Sequence, residues 1–378
     1  AAFGLTLSII FNFEFALFLS FILGTMTAYG LPNGFDLTIF YVIPAFLGML
    51  TLGKARRIGS FFVAGLVIGL AGIGIILAYR LPDSVTDWIG IATLSGVSMI
   101  NGIAAASLTL LIQFVFSQFL GITTSLQLLD TSRPDHPLLQ IMLRNAPGSY
   151  QHSLQVANLA EQAAEAIGAD GLLVRVGAIY HDCGKSSNPH FFIENQIQNE
   201  INPHDSIDPY LSAQTIISHV TDGVNIAKKY RLPNRIIDFI REHHGTMHTH
   251  YQYTQARNEA ENPDFVDKSK FTYPGPRPQS RETALLMLAD GTEARARAER
   301  PKNDDEMKSL IETVITFYAQ NHQLDDTNLT LRDLKIVKES FFHTLKGSYH
   351  PRVKYPSLNQ DEKGEENSPI NEPVKDAK

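Results

Sequence analysis

The chain has 378 residues, with 32 basic and 39 acidic side chains, a formal net charge of -7 and a single cysteine. One cysteine excludes an intramolecular disulfide framework and fits a reducing compartment, while the acidic balance argues against a nucleic-acid polymer as partner. The mean hydropathy of -0.06 describes an ordinary soluble protein, but residues 1–120 hold only four of the basic and four of the acidic side chains, which leaves 28 and 35, and the whole net charge, to residues 121–378.

Two solvents are implied, and the first 120 residues read as membrane. Apolar runs cover 5–29, 35–52, 58–79 and 88–120. A helix crossing hydrocarbon needs about 20 apolar residues, and each run reaches or approaches that length. The fourth is long enough to tilt or to kink near Asn101 and Gly102. Lys54, Arg56 and Arg57 lie between the second and third runs, whereas the loop from Arg80 to Asp87 carries one arginine and two aspartates. The positive-inside rule puts the basic loop in the cytoplasm, together with everything after Gly121. Glu14 has no cationic neighbour in sequence, so a place near a helix end or bundle interior is favoured over a functional intramembrane carboxylate. Gly65, Gly69, Gly72 and Gly74 allow close helix contacts. The chain does not begin with methionine, and no basic segment precedes its first apolar run. A cleaved signal peptide is therefore a poor reading, and the start is expected to lie inside a larger membrane region.

Residues 121–146 form an amphipathic connector. Ser149 is a candidate N-cap for a helix to about 167, with Leu154, Val156, Leu159, Ala163 and Ile167 on its buried stripe and Gly168 ending it. Further helices are expected at 171–180, 208–230, 234–244, 281–297, 304–320 and 330–346, with short strand pieces near Tyr251 and Phe271. The tail from 351 to 378 is polar and proline-containing and reads as disordered. The fold class is all-α: a transmembrane helix bundle at 1–120, the connector, and a helical domain at 147–350.

Nine of the thirteen histidines fall between His152 and His250. A lone buried histidine is usually structural, but these cluster at predicted helix ends. His181 and Asp182 close one helix, before Gly184 and Lys185; His243 and His244 close another, before Gly245. His152 sits in the first turn of a third helix and His219 inside a fourth. Asp290 follows the apolar run 285–289, where an unpaired carboxylate would be costly. Imidazoles and carboxylates gathered from several helix ends are what a divalent transition-metal site needs.

His152, the His181–Asp182 pair and Asp290 together resemble the H…HD…D pattern of the HD-domain phosphohydrolases. The stretches 146–156, 180–185, 191–196, 240–246, 273–280 and 288–290 are similar to the seven-helix membrane HD family, bacterial cyclic di-AMP phosphodiesterases in which a membrane bundle leads into a cytosolic HD domain. The resemblance covers roughly 1–345. It implies two divalent ions, iron or manganese, one held by His152, His181, Asp182 and Asp290 and the other by Asp182, His219, His243 and His244. A bridging carboxylate keeps such ions about 3.5–4 Å apart, the separation useful for in-line attack of activated water on a phosphodiester. The implied reaction is hydrolysis of cyclic di-AMP to linear 5′-pApA at a bacterial plasma membrane. A related family that cuts cyclic di-GMP carries Gly-Tyr-Pro; this chain has Tyr273-Pro274-Gly275 instead, which argues against that substrate.

Other residues carry two readings each. Lys185 fits a phosphate contact or a surface lysine. Arg297, two helical turns beyond Asp290, resembles a phosphate-facing arginine of the family, with Arg295 and Arg300 as rivals. His204 lines the pocket or supports a ligand. Tyr273 forms a wall against a nucleobase or belongs to a rigid loop. Cys183 is expected to be a packed thiol, and His248 and His250 to be solvent-exposed. Membrane lipid and a second copy of the chain complete the expected partners. The competing functions are hydrolysis of another nucleotide and a membrane receptor that binds a nucleotide without cutting it.

Overall fold

The computed structural model describes residues 1–53, 58–82, 85–120, 123–196 and 202–348. Its first helices are α1 (Ala2–Ile10), α2 (Phe13–Ala28), α3 (Gly34–Leu52), α4 (Ile58–Arg80) and α5 (Trp88–Leu120). Three helical segments, Gly34–Leu52, Ile58–Arg80 and Trp88–Phe116, are long and apolar enough to cross a membrane. The run expected at 5–29 is not one helix. It breaks at Phe11 and Asn12, because the Asn12 side chain accepts a hydrogen bond from the Phe15 N–H and starts a new helix there. Glu14 thereby sits in the first turn of α2, at a helix end, where a carboxylate faces the positive end of the macrodipole. The basic loop of Lys54, Arg56 and Arg57 lies outside the described residues, as does the tail.

α4 packs against both α3 and α5. The closest approach is glycine on glycine: a Cβ on Gly102 would lie 2.1 Å from the Gly65 carbonyl oxygen. Gly69 and Gly72 meet Met99 and Ser98 of α5 in the same way, whereas Gly74 faces open space and contributes no close contact. The Ser98 hydroxyl donates to the Gly69 carbonyl (2.9 Å), a polar tie between two apolar helices.

The second body contains α6 (Ser125–Thr131), α7 (Pro137–Asn145), α8 (Pro147–Ala166), α9 (Gly171–Tyr180), α10 (Pro209–Lys229), α11 (Asn234–Glu242), α12 (His250–Glu259), α13 (Arg281–Glu299), α14 (Asp304–Gln320) and α15 (Leu331–Ser348). Leu128, Leu138, Leu139 and Met142 of α6 and α7 join the same core as Tyr180, Phe239, Leu285 and Phe341, so the stretch read as a connector packs into this body. α13 runs through the middle, against α8, α9 and α14. Its segment from Ala284 to Ala289 is completely buried, which explains an apolar run too dense for an ordinary surface helix.

Several helix ends differ from expectation. α8 starts at Pro147, whose fixed φ suits the first helical position, so Ser149 is inside the helix and its hydroxyl donates to Glu194 Oε1 instead of capping. α11 stops at Glu242, leaving His243 as its C-cap and His244 beyond it; Gly245 takes φ 51° to reverse the chain. Tyr251, expected near a strand, lies in α12. Among the described residues the extended pairing is reduced to one isolated bridge between His248 and Thr272.

Candidate metal centre

Two helix ends and the inner faces of three further helices bring the site together. α8 contributes His152, the end of α9 His181 and Asp182, α10 His219, the end of α11 His243 and His244, and α13 Asp290. Two groups of ligand atoms each fall within 4.8 Å of one another: His152, His181 and Asp182, and His219, His243 and His244. Asp182 links them. Its Oδ2 lies 4.0 Å from His152 Nε2 and 3.3 Å from His181 Nε2, and its Oδ1 lies 3.4 Å from His219 Nε2 and 3.7 Å from His243 Nε2. Asp290 Oδ1 closes the first group, 2.8 Å from His152 Nε2 and 3.7 Å from His181 Nε2.

One local device orients three of the imidazoles. His181, His219 and His243 each donate from Nδ1 to the carbonyl three residues earlier, on Ala178 (2.7 Å), Ile216 (2.6 Å) and Ile240 (2.9 Å). A carbonyl can only accept, so the proton on each Nδ1 is fixed and Nε2 points into the site. His219 and His243 then bring their Nε2 atoms to 3.2 Å. Burial lowers the pKa of both, and His244 adds to that at His243. Two neutral imidazoles thus face each other lone pair to lone pair. His181 Nε2 and Asp182 Oδ1 are buried without a hydrogen-bond partner. Orphaned polar atoms of this kind are rare in a folded interior, and a divalent cation would satisfy both.

The two sides differ in charge. Burial alone would lower His181, but Asp182 and Asp290 outweigh it and raise the ring to about 10. His152 is raised in the same way, burial being overcome by Asp290 and Glu293. Burial would raise Asp182 and Asp290, yet the adjacent histidines, and Lys185 for Asp182, hold both well below the usual carboxylate range. His244 is driven down to about 3 by burial and by His219. The carboxylate side favours positive charge; the imidazole side offers neutral lone pairs.

Lys185 is not a surface lysine. Its Nζ lies 2.8 Å from Asp182 Oδ2 and 2.8 Å from Glu194 Oε1. Glu194 was not singled out in the sequence, and neither was Glu293, which accepts from His152 Nδ1. Glu293 lies three residues after Asp290, so helical spacing placed both on one face. Glu194 lies in the short turn Ile193–Asn195 and carries no comparable signal. Of the three arginines, Arg297 approaches the site, 3.8 Å from Glu293, while Arg295 pairs with Glu299 and Arg300 caps the helix. Tyr273 stacks on His244 with centroids 4.3 Å apart. Both nitrogens of His204 are occupied: Nδ1 by the Ser212 hydroxyl and Nε2 by the Phe191 carbonyl, each at 2.7 Å. His204 therefore pins a loop to α10. Cys183 is a buried thiol against the Gly223 carbonyl (3.6 Å), as expected. His250 is exposed, whereas His248 is half-buried against Tyr253.

Comparison with known proteins finds matches in two parts of the chain. Residues 149–295 match the family model "HD domain", and residues 1–124 match "7TM receptor with intracellular HD hydrolase". The chain is 38% identical over 319 residues to the cyclic-di-AMP phosphodiesterase PgpH of Bacillus subtilis, covering 84% of this chain and 44% of that protein. It is 35% identical over 322 residues to PgpH of Listeria monocytogenes, covering 85% and 44%. The chain thus spans less than half the length of these relatives. The crystal structure of the L. monocytogenes PgpH HD domain in complex with cyclic-di-AMP is 40% identical, with a TM-score of 0.54, and is covered completely by 58% of this chain. The clustered histidines and aspartates, the apolar helices long enough to cross a membrane and these matches together place the chain in the HD hydrolase family to which the PgpH proteins belong.

Proposed function

We propose that the chain is a two-metal phosphodiesterase that hydrolyses cyclic di-AMP to linear 5′-pApA and so lowers the level of a second messenger. The observation that carries this reading is the convergence of His219 Nε2, His243 Nε2 and the orphaned Asp182 Oδ1 on one buried volume. The names of the relatives, and the ligand in the L. monocytogenes structure, support the substrate.

His152, His181, Asp182 and Asp290 would hold one divalent ion, and Asp182, His219, His243 and His244 the second. The all-nitrogen-and-oxygen donor set suits iron or manganese. Such a pair supplies Lewis acidity toward phosphate oxygens and an activated water. The chain's own residues do the positioning. Lys185 clamps Asp182 between the two halves and stands close to where a phosphate would enter. The guanidinium of Arg297 is exposed beside its ion pair with Glu293 and would meet a second phosphate from there. Tyr273 braces His244 and forms one wall for a nucleobase, with His204 holding the adjacent loop. The same proposal divides the chain into a bundle at 1–120, a connector at 121–146, an HD domain at 147–350 and a tail, with the HD domain on the cytoplasmic face of a bacterial plasma membrane, lipid around the bundle and a homodimer as the assembly.

Purified chain with manganese, given cyclic di-AMP, cyclic di-GMP and pApA, should turn over the first; equal rates on all three would overturn the substrate. Asp182→Ala should lower hydrolysis by more than about 100-fold and release bound metal. Unchanged hydrolysis would sink the two-metal mechanism. Binding of cyclic di-AMP by the intact chain without hydrolysis would favour a receptor.

A further inference from the structure

Four histidines of the site use Nδ1 to fix their orientation, and one does so differently. His181, His219 and His243 donate to neutral backbone carbonyls, but His152 donates to the Glu293 carboxylate. Glu293 is buried, its other oxygen has no hydrogen-bond partner, and its nearest cation is Arg297 at 3.8 Å. Burying a carboxylate is expensive, and a backbone carbonyl or an amide would orient the ring as well. What the carboxylate adds is charge. A hydrogen bond to an ionised acceptor is roughly twice as strong as a neutral one. An anion behind an imidazole also makes its other nitrogen a stronger donor to a metal.

We propose that Glu293 is a positioning residue that sets the affinity of one of the two metal positions, the one that includes His152, and leaves the other untouched. The inference rests on the two-metal reading above. Its selectivity follows from position. Glu293 holds His152, while His219, His243 and His244 reach it only through Asp182, two ligands away. The two ions would therefore bind with unequal affinity, and Glu293 is the residue that controls the difference.

The test is equilibrium dialysis of the metal-stripped chain against manganese, for wild type, Glu293→Gln and His152→Ala. Wild type should bind two equivalents. In E293Q one equivalent should keep its wild-type affinity and the other should weaken by about 10–100-fold. H152A should weaken the same equivalent, which identifies it. Glu293→Asp, which keeps the charge on a shorter arm, should fall between wild type and E293Q. Melting curves of the stripped proteins check that the fold is retained. Two unchanged equivalents in E293Q would overturn the inference, and so would equal weakening of both. Failure of both Glu293 variants to fold would make the residue purely structural, which also overturns it. No manganese bound by wild type would instead defeat the underlying two-metal reading.

Discussion

Replacing Gly184 by alanine tests how tightly the turn after the His-Asp pair is built. A Cβ at this position would lie 1.9 Å from the His219 carbonyl oxygen and 2.6 Å from the Gly223 backbone nitrogen. Ordinary contact begins at 3.4 Å, so α10 or the turn must give way by the difference between 3.4 and 1.9, about 1.5 Å. Both opposing atoms belong to backbone, and no side-chain rotation relieves the overlap. Overpacking of this kind costs about 1–3 kcal/mol, or more where helices cannot part. The retreat would also carry His219 away from Asp182, whose Oδ1 now lies 3.4 Å from its Nε2. A misplacement of about 1 Å at reacting groups costs on the order of 100-fold in rate. Gly184→Ala should therefore lower the urea midpoint and bind manganese weakly, and cyclic di-AMP hydrolysis should fall by on the order of 100-fold. Gly74→Ala is the control, because nothing lies within 4 Å of its Cβ, and it should behave as wild type. A G184A protein with wild-type midpoint and rate would refute the argument that this contact sets the ligand spacing.

Two further outcomes follow from the charges. Lys185→Met removes the cation shared by two buried carboxylates and should destabilise the fold by about 3–5 kcal/mol; adding Glu194→Gln should restore part of the loss, as read from urea denaturation of the single and double variants. The metal-stripped chain should be most stable near the ordinary histidine pKa, about 6.5. Below it, His219, His243 and His244, all depressed in the fold and His244 to about 3, take up protons only on unfolding, so stability falls with pH. Above it, His181 and His152 are raised in the fold, and the stability they contribute is lost as pH climbs toward the folded value of His181, about 10. Melting temperature against pH in chelator measures this; a flat profile from 5 to 9 would contradict the charge assignment.

Two pairs of the candidate ligand set stood out in the sequence because each stands at a helix end marked by a glycine. His181–Asp182 before Gly184, and His243–His244 before Gly245, are local patterns. Asp208, the first residue of the expected helix 208–230, caps α10. The supporting carboxylate Glu194 was not legible. Glu194 reaches Lys185 and Ser149 only because a loop far along the chain folds back over the start of α8, where a Cβ on Gly148 would meet the Glu194 carbonyl at 1.8 Å. The break at Asn12 escaped because hydropathy averages over a single polar residue between phenylalanines, although its side-chain cap was sufficient to begin a new helix. α12 was misread because Tyr251 and Tyr253 alternate like strand residues. Only one face of that helix packs, through Gln252 and Ala256, a period that two tyrosines conceal.

The shared hydrogen bond from Nδ1 to the carbonyl three residues back has a consequence for how ions would be chosen. Three rings are already immobilised when the chain folds, so their rotational entropy is lost then and not at the moment an ion arrives. Exchange of one cation for another would leave the rings where they are. With donor atoms this stiff, the distances between nitrogens act as a gauge. An ion whose preferred bond lengths match that spacing is retained, and one that needs the rings to swing apart meets the resistance of two helix ends and the middle of α10 at once.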